Sequence, residues 1–222
     1  MIIYKLTRQN RTTRDGFKYP PKGKRLPELS GKGGLCSSGF YHGYAHPLLS
    51  VLHAPIHVDV DYIKMIEIEV PEVYAPNQMK LGFTTGTVGK VIPLPKITLE
   101  QKIRYGIGCA CFVHKEKPFR KWADNWISGK DRSKRAARAI VRVVRAVWVA
   151  EAAETDWVDW AAQAAWTTAK VACEADWSAE DAAWAVARAA TFATVARKDL
   201  DLIRIAEWAM TDEPLSELLG EE

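Results

Sequence analysis

Four of the chain's five histidines lie in the stretch "GFYHGYAHPLLSVLHAPIH", residues 39–57. His42 and His46 form one pair with i,i+4 spacing, and His53 and His57 form a second. Imidazole is the commonest metal-binding side chain, and its charge changes nearest to neutral pH. This stretch is therefore the first candidate for metal binding or acid–base chemistry.

A zinc site is one interpretation of the stretch. Cys36 adds a thiolate ahead of His42 and His46, and His57 adds a further imidazole. The spacing matches no standard structural zinc pattern, and the chain contains no HExxH motif. A metal-dependent hydrolase therefore stands beside two alternatives, a structural or substrate-contacting histidine cluster and ordinary packing with hydrogen bonding. Our primary expectation is that the protein uses no cofactor.

His53 has a simple structural explanation. The segment "HPLLSVLHAP" predicts a short helix that begins at Pro47, since proline is favoured at the first helical position, and that ends before Pro55. His53 then lies in the last turn, where it can donate to free carbonyls and where the helix dipole favours positive charge.

Basic residues form an N-terminal group in a segment broken by glycine and proline, which is typical of turns and long loops. The members that we single out as candidate partner contacts are Arg8, Arg11, Arg14, Lys24 and Arg25.

A second basic group lies in "GKDRSKRAARAIVRVVRAVW". Its arginines are spaced by 3, 4 and 3 residues, which puts them on one stripe of a helix. They are Arg135, Arg138, Arg142 and Arg145. The apolar side of the same helix is predicted to consist of Ala137, Val141, Val144 and Trp148.

The charge of the chain is strongly asymmetric. Residues 1–150 contain 26 Lys and Arg against 11 Asp and Glu, whereas residues 151–222 contain 5 against 16. The arginine stripe therefore has two interpretations. It binds an external anionic partner, such as an acidic protein face or nucleic acid, or it pairs within the molecule with the acidic C-terminal helices.

Several extended segments precede these helices. "MIIYKL" predicts a short strand, and "KMIEIEV" predicts a half-buried strand with Ile66, Ile68 and Val70 on its apolar face. "GFTTGTVGKV", residues 82–91, superficially resembles a phosphate loop but lacks its Ser or Thr. We predict a β-hairpin there, and an edge strand in "GKVIPLPKI".

The pattern changes to helical near residue 98. Thr98 with Gln101 forms a capping box, Pro118 and Gly129 bracket a second helix, and helices follow to the C-terminus. The glycines of the first helix, Gly106 and Gly108, weaken it or allow another backbone to approach.

Three tryptophans, Trp148, Trp166 and Trp184, recur at intervals of 18 residues. They line one face of a very long helix, or they occur once per helix in helical hairpins, which we favour because long uninterrupted helices are unusual. "ETD" at 154–156 and "EADWS" at 174–178 are the expected breaks. The Ala/Trp faces form a bundle core, or they mediate homodimerisation.

The sequence thus predicts an α+β protein, with a basic β-rich region at residues 1–97 and an Ala/Trp-rich helical bundle at residues 98–222. It has no apolar segment of membrane-spanning length and no signal peptide, so we expect a cytoplasmic protein without membrane contact.

Three segments carry a family resemblance. "YKLTRQNRTTRDGFKY", "GLCSSGFYHGYAHPLLSVLHAPIHVDVDYIKMIEIEV" and "KVIPLPKITLEQKIRYGIGCACFV" resemble a group of uncharacterised bacteriophage and prophage proteins, over roughly residues 1–130. The resemblance implies a phage origin and a host bacterial cytoplasm. By analogy with small phage accessory proteins, it implies stoichiometric action on a host target, such as anti-defence inhibition of the anti-CRISPR kind.

A more distant resemblance is to ADP-ribosyltransferase-like folds. The order of the strand at Tyr4 and Lys5, the segment "GFYH" and the strand "EIEV" is similar to theirs. It implies a pocket for NAD or another nucleotide near Tyr4, Lys5, Tyr41, His42 and His46. The opening strand lacks the usual His or Arg, and no catalytic glutamate follows a suitable third strand.

The leading functional hypothesis is a phage-derived binding protein, and the pattern favours binding over enzymatic activity without deciding between them. Its partner is expected to be an acidic host protein or a nucleic-acid-bound complex, contacted through the basic residues. An NAD-using domain and a metal-dependent hydrolase are the alternatives.

Overall fold

The computed structural model describes residues 1–13, 16–35, 37–53, 63–77, 80–152, 160–173 and 179–220. The chain divides into two compact units, Met1–Lys96 and Ile97–Glu222. The strands lie in the first unit, and the second unit is helical. The predicted α+β class, with a small β-rich region followed by a helical bundle, is confirmed.

The first unit contains two three-stranded antiparallel sheets, with strand orders β1-β3-β6 and β2-β5-β4. In chain order its elements are β1 (Ile2–Arg8), β2 (Tyr41–Gly43), α1 (Pro47–His53), β3 (Ile63–Glu69), β4 (Tyr74–Asn77), β5 (Lys80–Phe83) and β6 (Thr87–Ile92).

The central strand β3 largely follows the predicted alternation. Ile66, Ile68 and Val70 are buried, and Glu69 is exposed. Met65 was expected on the polar face, but it is completely buried. Its cross-strand neighbour Leu6 is buried too, so this end of the sheet is covered on both faces.

The predicted hairpin at residues 82–91 is wrong. β5 pairs with β2 and β4, whereas β6 pairs with β3, so the connection between β5 and β6 crosses from one sheet to the other. Gly86 in this connection passes close to β3: a Cβ there would lie 2.8 Å from the carbonyl oxygen of Glu69. The glycine is therefore needed for close approach of two backbones.

Aromatic side chains hold the long basic segment onto the core of the first unit. Phe17 lies 5.1 Å from Tyr19 and 5.2 Å from Tyr41 between ring centroids, and Tyr41 lies 5.5 Å from Phe83. Tyr19 and Tyr41 are buried. Buried aromatic rings contribute large apolar areas, so this segment is anchored although its composition is that of a loop.

The second unit consists of helices joined by short connections. They are α2 (Leu99–Val113), α3 (Lys117–Ile127), α4 (Lys134–Ala152), α5 (Trp160–Cys173), α6 (Ala179–Ala196), α7 (Leu202–Ala209) and α8 (Leu215–Leu219). In the described part of the chain, no helix is both long enough and apolar enough to span a bilayer.

The predicted helix boundaries are confirmed where the structure describes them. The Thr98 hydroxyl accepts from the Gln101 N–H at 3.2 Å, and the Gln101 side chain accepts from the Thr98 N–H at 2.9 Å, which completes the capping box. Pro118 lies in the first turn of α3, and Gly129 follows its end with φ +75°.

The tryptophans that recur every 18 residues fall once in each of α4, α5 and α6, as the hairpin alternative predicts. The two expected breaks lie outside the described residues. In α5 and α6 alanine fills the buried positions: Ala164, Ala165 and Ala189 have no exposed surface, whereas Trp184 is 39% exposed.

Helix α2 is the centre of the bundle, buried from Ile103 to Cys111 and packed on α5, α6 and α7. Its glycines allow close approach of side chains, not of another backbone as one of the two alternatives predicted. A Cβ at Gly106 would lie 3.3 Å from the Thr168 hydroxyl, and one at Gly108 would lie 2.8 Å from a methyl of Ile205.

Candidate functional site

The arginine stripe lies on the solvent-facing side of α4. Its four arginines are exposed, and on the opposite side Ala137, Ile140 and Val144 are at most 5% exposed. The helix therefore has one apolar side in the bundle and one cationic side in water, as the spacing predicts. Val141 is half-buried, and the side chain of Trp148 lies outside the described part of the chain.

No arginine of the stripe forms an ion pair or side-chain hydrogen bond with any residue that the structure describes. Described acidic residues instead pair with other arginines: Glu100 with Arg132 at 2.8 Å, and Asp199 with Arg197 at 3.0 Å. Within the described residues, intramolecular pairing with the acidic C-terminal helices does not occur for the stripe. Its cationic side chains are exposed.

The local charge is high. Residues 117–145 contain ten Lys and Arg against two Asp. One of those, Asp131, accepts a hydrogen bond from the Ser133 N–H at 2.9 Å at the start of α4. The interaction with the Ser133 side chain, together with this backbone bond, lowers the pKa of Asp131. The region of α3 and α4 is therefore strongly cationic at neutral pH.

An apolar groove of about 250 Å³ lies between α3 and α4, beside the stripe. Trp122 and Ile140 line its buried part, and Val143, which is 41% exposed, lines its outer part. Lys121 belongs to the α3 side of the groove. Trp122 is only 6% exposed, and its indole N–H is buried without an acceptor among the described residues.

This groove is not apparent from the sequence. The residues that line it on α3 occur at helical spacing in "KPFRKWADNWI", which by itself predicts only an amphipathic helix. A groove depends on how closely two helices pack, and no local pattern encodes that distance.

The N-terminal basic group belongs to the first unit and is partly used by the fold. Arg11 has φ +68°, and its guanidinium donates to the Pro20 carbonyl at 3.0 Å. Arg25 donates to the Thr85 hydroxyl at 3.3 Å, while Arg8 and Lys24 are exposed. Arg14 lies outside the described residues.

The side chains expected around a nucleotide pocket are engaged in the first unit. Tyr41 is buried, which raises the pKa of its phenol, and its hydroxyl donates to the Pro27 carbonyl at 3.0 Å. A ring nitrogen of His42 contacts the Leu35 carbonyl. Nδ1 of His46 accepts from the backbone N–H of Leu48 at 3.3 Å, at the start of α1.

Tyr4 and Lys5 are consecutive on β1, so their side chains point to opposite faces of the sheet. Both are half-buried, and the Tyr4 backbone pairs with Tyr44. One sheet face therefore cannot present both side chains to a single ligand.

The expected metal ligands Cys36 and His57 lie outside the described residues. Among the residues that are described, no three His, Cys, Asp or Glu side chains come together as a metal site would require. The described cysteines, Cys109, Cys111 and Cys173, are buried thiols, and burial raises the pKa of Cys109 to about 12.

His53 occupies the last turn of α1, as predicted. The expectation that the helix dipole favours its charge is wrong, because His53 is buried and burial lowers its pKa to about 4. The imidazole is neutral at pH 7, with the Tyr44 ring at 6.3 Å between centroids.

Comparison of the chain with family models, with curated proteins and with solved structures gave no match.

Proposed function

We propose that this protein is a phage-derived binding protein that acts stoichiometrically, in the host bacterial cytoplasm, on an acidic surface of a host protein or nucleic-acid-bound complex. The observation that carries the proposal is the arginine stripe, with four exposed guanidinium groups and no ion pair to a described residue. An anti-defence inhibitor, as the phage resemblance implies, is the form of this function that we favour.

The geometry of the stripe sets the size of the complementary surface. Arg135 and Arg145 are ten residues apart on α4, and an α-helix rises about 1.5 Å per residue, so the stripe is about 15 Å long. A partner must present carboxylates or phosphates over that length. Exposed ion pairs contribute only about 0–1 kcal/mol each, but clustered charge of one sign accelerates encounter and selects partners of opposite charge.

The alternatives have less support. The NAD-using interpretation relies on Tyr41, His42 and His46, whose polar atoms contact backbone groups of the first unit. The hydrolase interpretation relies on Cys36 and His57, which are outside the described residues. A binding role instead uses side chains that face solvent.

The test is capture of partners from a lysate of the host, with the charge-reversal variant Arg138→Glu/Arg142→Glu. A matched control is Lys96→Glu/Lys115→Glu, which changes net charge equally at two exposed positions outside α4. We expect the α4 variant to capture about 10- to 100-fold less partner than wild type, and the control to capture as much as wild type. Equal loss in both variants, or loss in neither, contradicts the proposal.

Folding of the variants is checked by circular dichroism and urea unfolding. The four arginines are exposed, and surface substitutions of this kind usually change the free energy of unfolding by no more than about 0.5 kcal/mol. An α4 variant that unfolds would show that the stripe is structural, and that result also contradicts the proposal.

The proposal also includes homodimerisation, through a second contact surface on α6. Trp184 is 39% exposed, and the Arg188 guanidinium lies 4.5 Å from its ring centroid. Large exposed aromatic side chains are enriched at protein interfaces. We expect a homodimer in native mass spectrometry that Trp184→Ser converts to monomer; a wild-type monomer at micromolar concentration contradicts this part.

A further inference from the structure

The apolar groove lies next to the arginine stripe. Ala139 lines the groove, and Arg135 and Arg142 lie one helical turn before and after it on α4. A ligand on the stripe therefore also meets an apolar surface.

We infer that the groove binds an apolar side chain of an acidic, amphipathic helix from a partner protein, with carboxylates of that helix contacting the arginine stripe. This inference rests on the proposed function and specifies the partner as a polypeptide. Helices that lay an apolar face into a groove present anchors at i, i+3, i+4 and i+7, and here the flanking positions must be Asp or Glu.

The size of the groove fits side chains and not a small-molecule ligand. Its volume of about 250 Å³ is below the roughly 300–1,000 Å³ of pockets that enclose drug-sized ligands. Val143 leaves 41% of its surface exposed at the outer part. Covering this valine with an aliphatic or aromatic anchor removes apolar surface from water, which is the dominant favourable contribution to association.

The charge around the groove selects the occupant. Lys121 flanks it on α3, and Arg135 and Arg142 flank it on α4. Asp131 also lines the groove and carries one negative charge, so these four residues together are net positive. An acidic helix is therefore attracted, and a basic amphipathic helix is repelled.

The burial of Trp122 favours a polypeptide over single-stranded nucleic acid as the ligand of the groove. Bases bind such proteins by stacking on exposed aromatic rings, but Trp122 is 94% buried, so the groove offers little ring surface for stacking. Its buried indole N–H has no acceptor among the described residues, and a carbonyl or carboxylate oxygen inserted between the helices would satisfy it.

The experiment measures fluorescence anisotropy of a labelled synthetic peptide of about 20 residues, with Leu at i, i+3, i+4 and i+7 and Glu at the flanking positions. A scrambled peptide of the same composition and a single-stranded DNA of equal charge are the comparison probes. The groove variants are Ala139→Phe, which fills it, and Val143→Asp, which places a negative charge in it. Ala196→Phe, at an exposed position at the end of α6, is the matched control.

We expect the amphipathic peptide to bind the full-length protein at least about tenfold more tightly than either comparison probe. Both groove variants should weaken peptide binding by about tenfold or more, whereas Ala196→Phe should stay within about threefold of wild type. All variants are exposed-site substitutions, and urea unfolding verifies that each is folded.

Other outcomes overturn the inference. If the scrambled peptide binds equally, or if the groove variants bind like wild type, no apolar anchor enters the groove. If the DNA binds more tightly, the partner is a nucleic acid. In these cases, the proposed function still stands if the Arg138→Glu/Arg142→Glu variant loses binding. If that variant binds as wild type does, the proposed function is contradicted as well.

Discussion

Acidification from about pH 7.5 to about pH 5 is expected to destabilise the first unit through His53. This imidazole is buried in the last turn of α1, and burial lowers its pKa from 6.5 to about 4. In the unfolded chain the same side chain titrates near 6.5. Protons therefore bind the unfolded state more strongly, so the stabilisation is fully present above pH 6.5 and is lost as the pH falls toward 4.

The magnitude follows from the two pKa values. At pH 5 an imidazole with a pKa of 6.5 is almost fully protonated, whereas one with a pKa of about 4 is about one-tenth protonated. The difference in proton binding lowers the free energy of unfolding by about 2 kcal/mol between pH 7.5 and pH 5. For a unit of this size that loss moves a urea midpoint by roughly 1–2 M.

The assay compares urea unfolding of wild type and His53→Gln across that pH range. Glutamine does not titrate, and the variant keeps the other histidines and all carboxylates, so the difference between the two pH profiles isolates His53. Wild type should lose about 2 kcal/mol more than the variant on acidification. Parallel profiles would refute the reasoning, because His53 would then titrate normally in the folded protein.

Three further predictions concern the helical unit, and urea unfolding measures each. Gly108→Val should destabilise it by about 1–3 kcal/mol, because a Cβ lies 2.8 Å from Ile205; Gly106→Ala, with its nearest contact at 3.3 Å, should change stability by less than about 1 kcal/mol. Arg104→Met should cost about 2 kcal/mol and alter Trp fluorescence, since the guanidinium donates to the Glu213 carbonyl at 2.7 Å and lies 4.6 Å from the Trp208 ring; an unchanged midpoint contradicts this role. Thr98→Ala should cost about 1 kcal/mol by removing the capping box, and Thr98→Ser should restore it.

Features encoded by neighbouring residues were predictable. The capping box of α2 involves residues three apart, and Pro118 and Gly129 act through their own backbone angles. The spacing of the arginines likewise requires only that α4 is helical. In each case the interaction lies within one or two turns of the chain, so the sequence pattern contains the information.

Features that depend on distant parts of the chain were not predictable. Residues 82–91 have the composition of a hairpin, but strand pairing is decided by which edges are free, and β6 pairs with β3, about 20 residues earlier. The alternation of β3 places Met65 on the predicted polar face. That end of the sheet is covered on both faces, however, so Met65 is buried.

The candidate site also has one part that the sequence predicts and one that it does not. The arginine stripe follows from helical periodicity, whereas the groove beside it depends on the packing of α3 against α4. The charge state of His53 also depends on tertiary burial, which outweighs the local helix dipole.

The most direct test of the central claim is photo-crosslinking in host cells from a benzophenone amino acid placed on α4. Ala146 is the position of choice, because it is exposed and lies one turn beyond Arg142 without belonging to the stripe. The same amino acid at Lys198, also exposed, is the control. We expect a discrete protein adduct from position 146 that disappears in the Arg138→Glu/Arg142→Glu background and does not form from position 198. An adduct that survives the charge reversal, or that forms only from position 198, would contradict it.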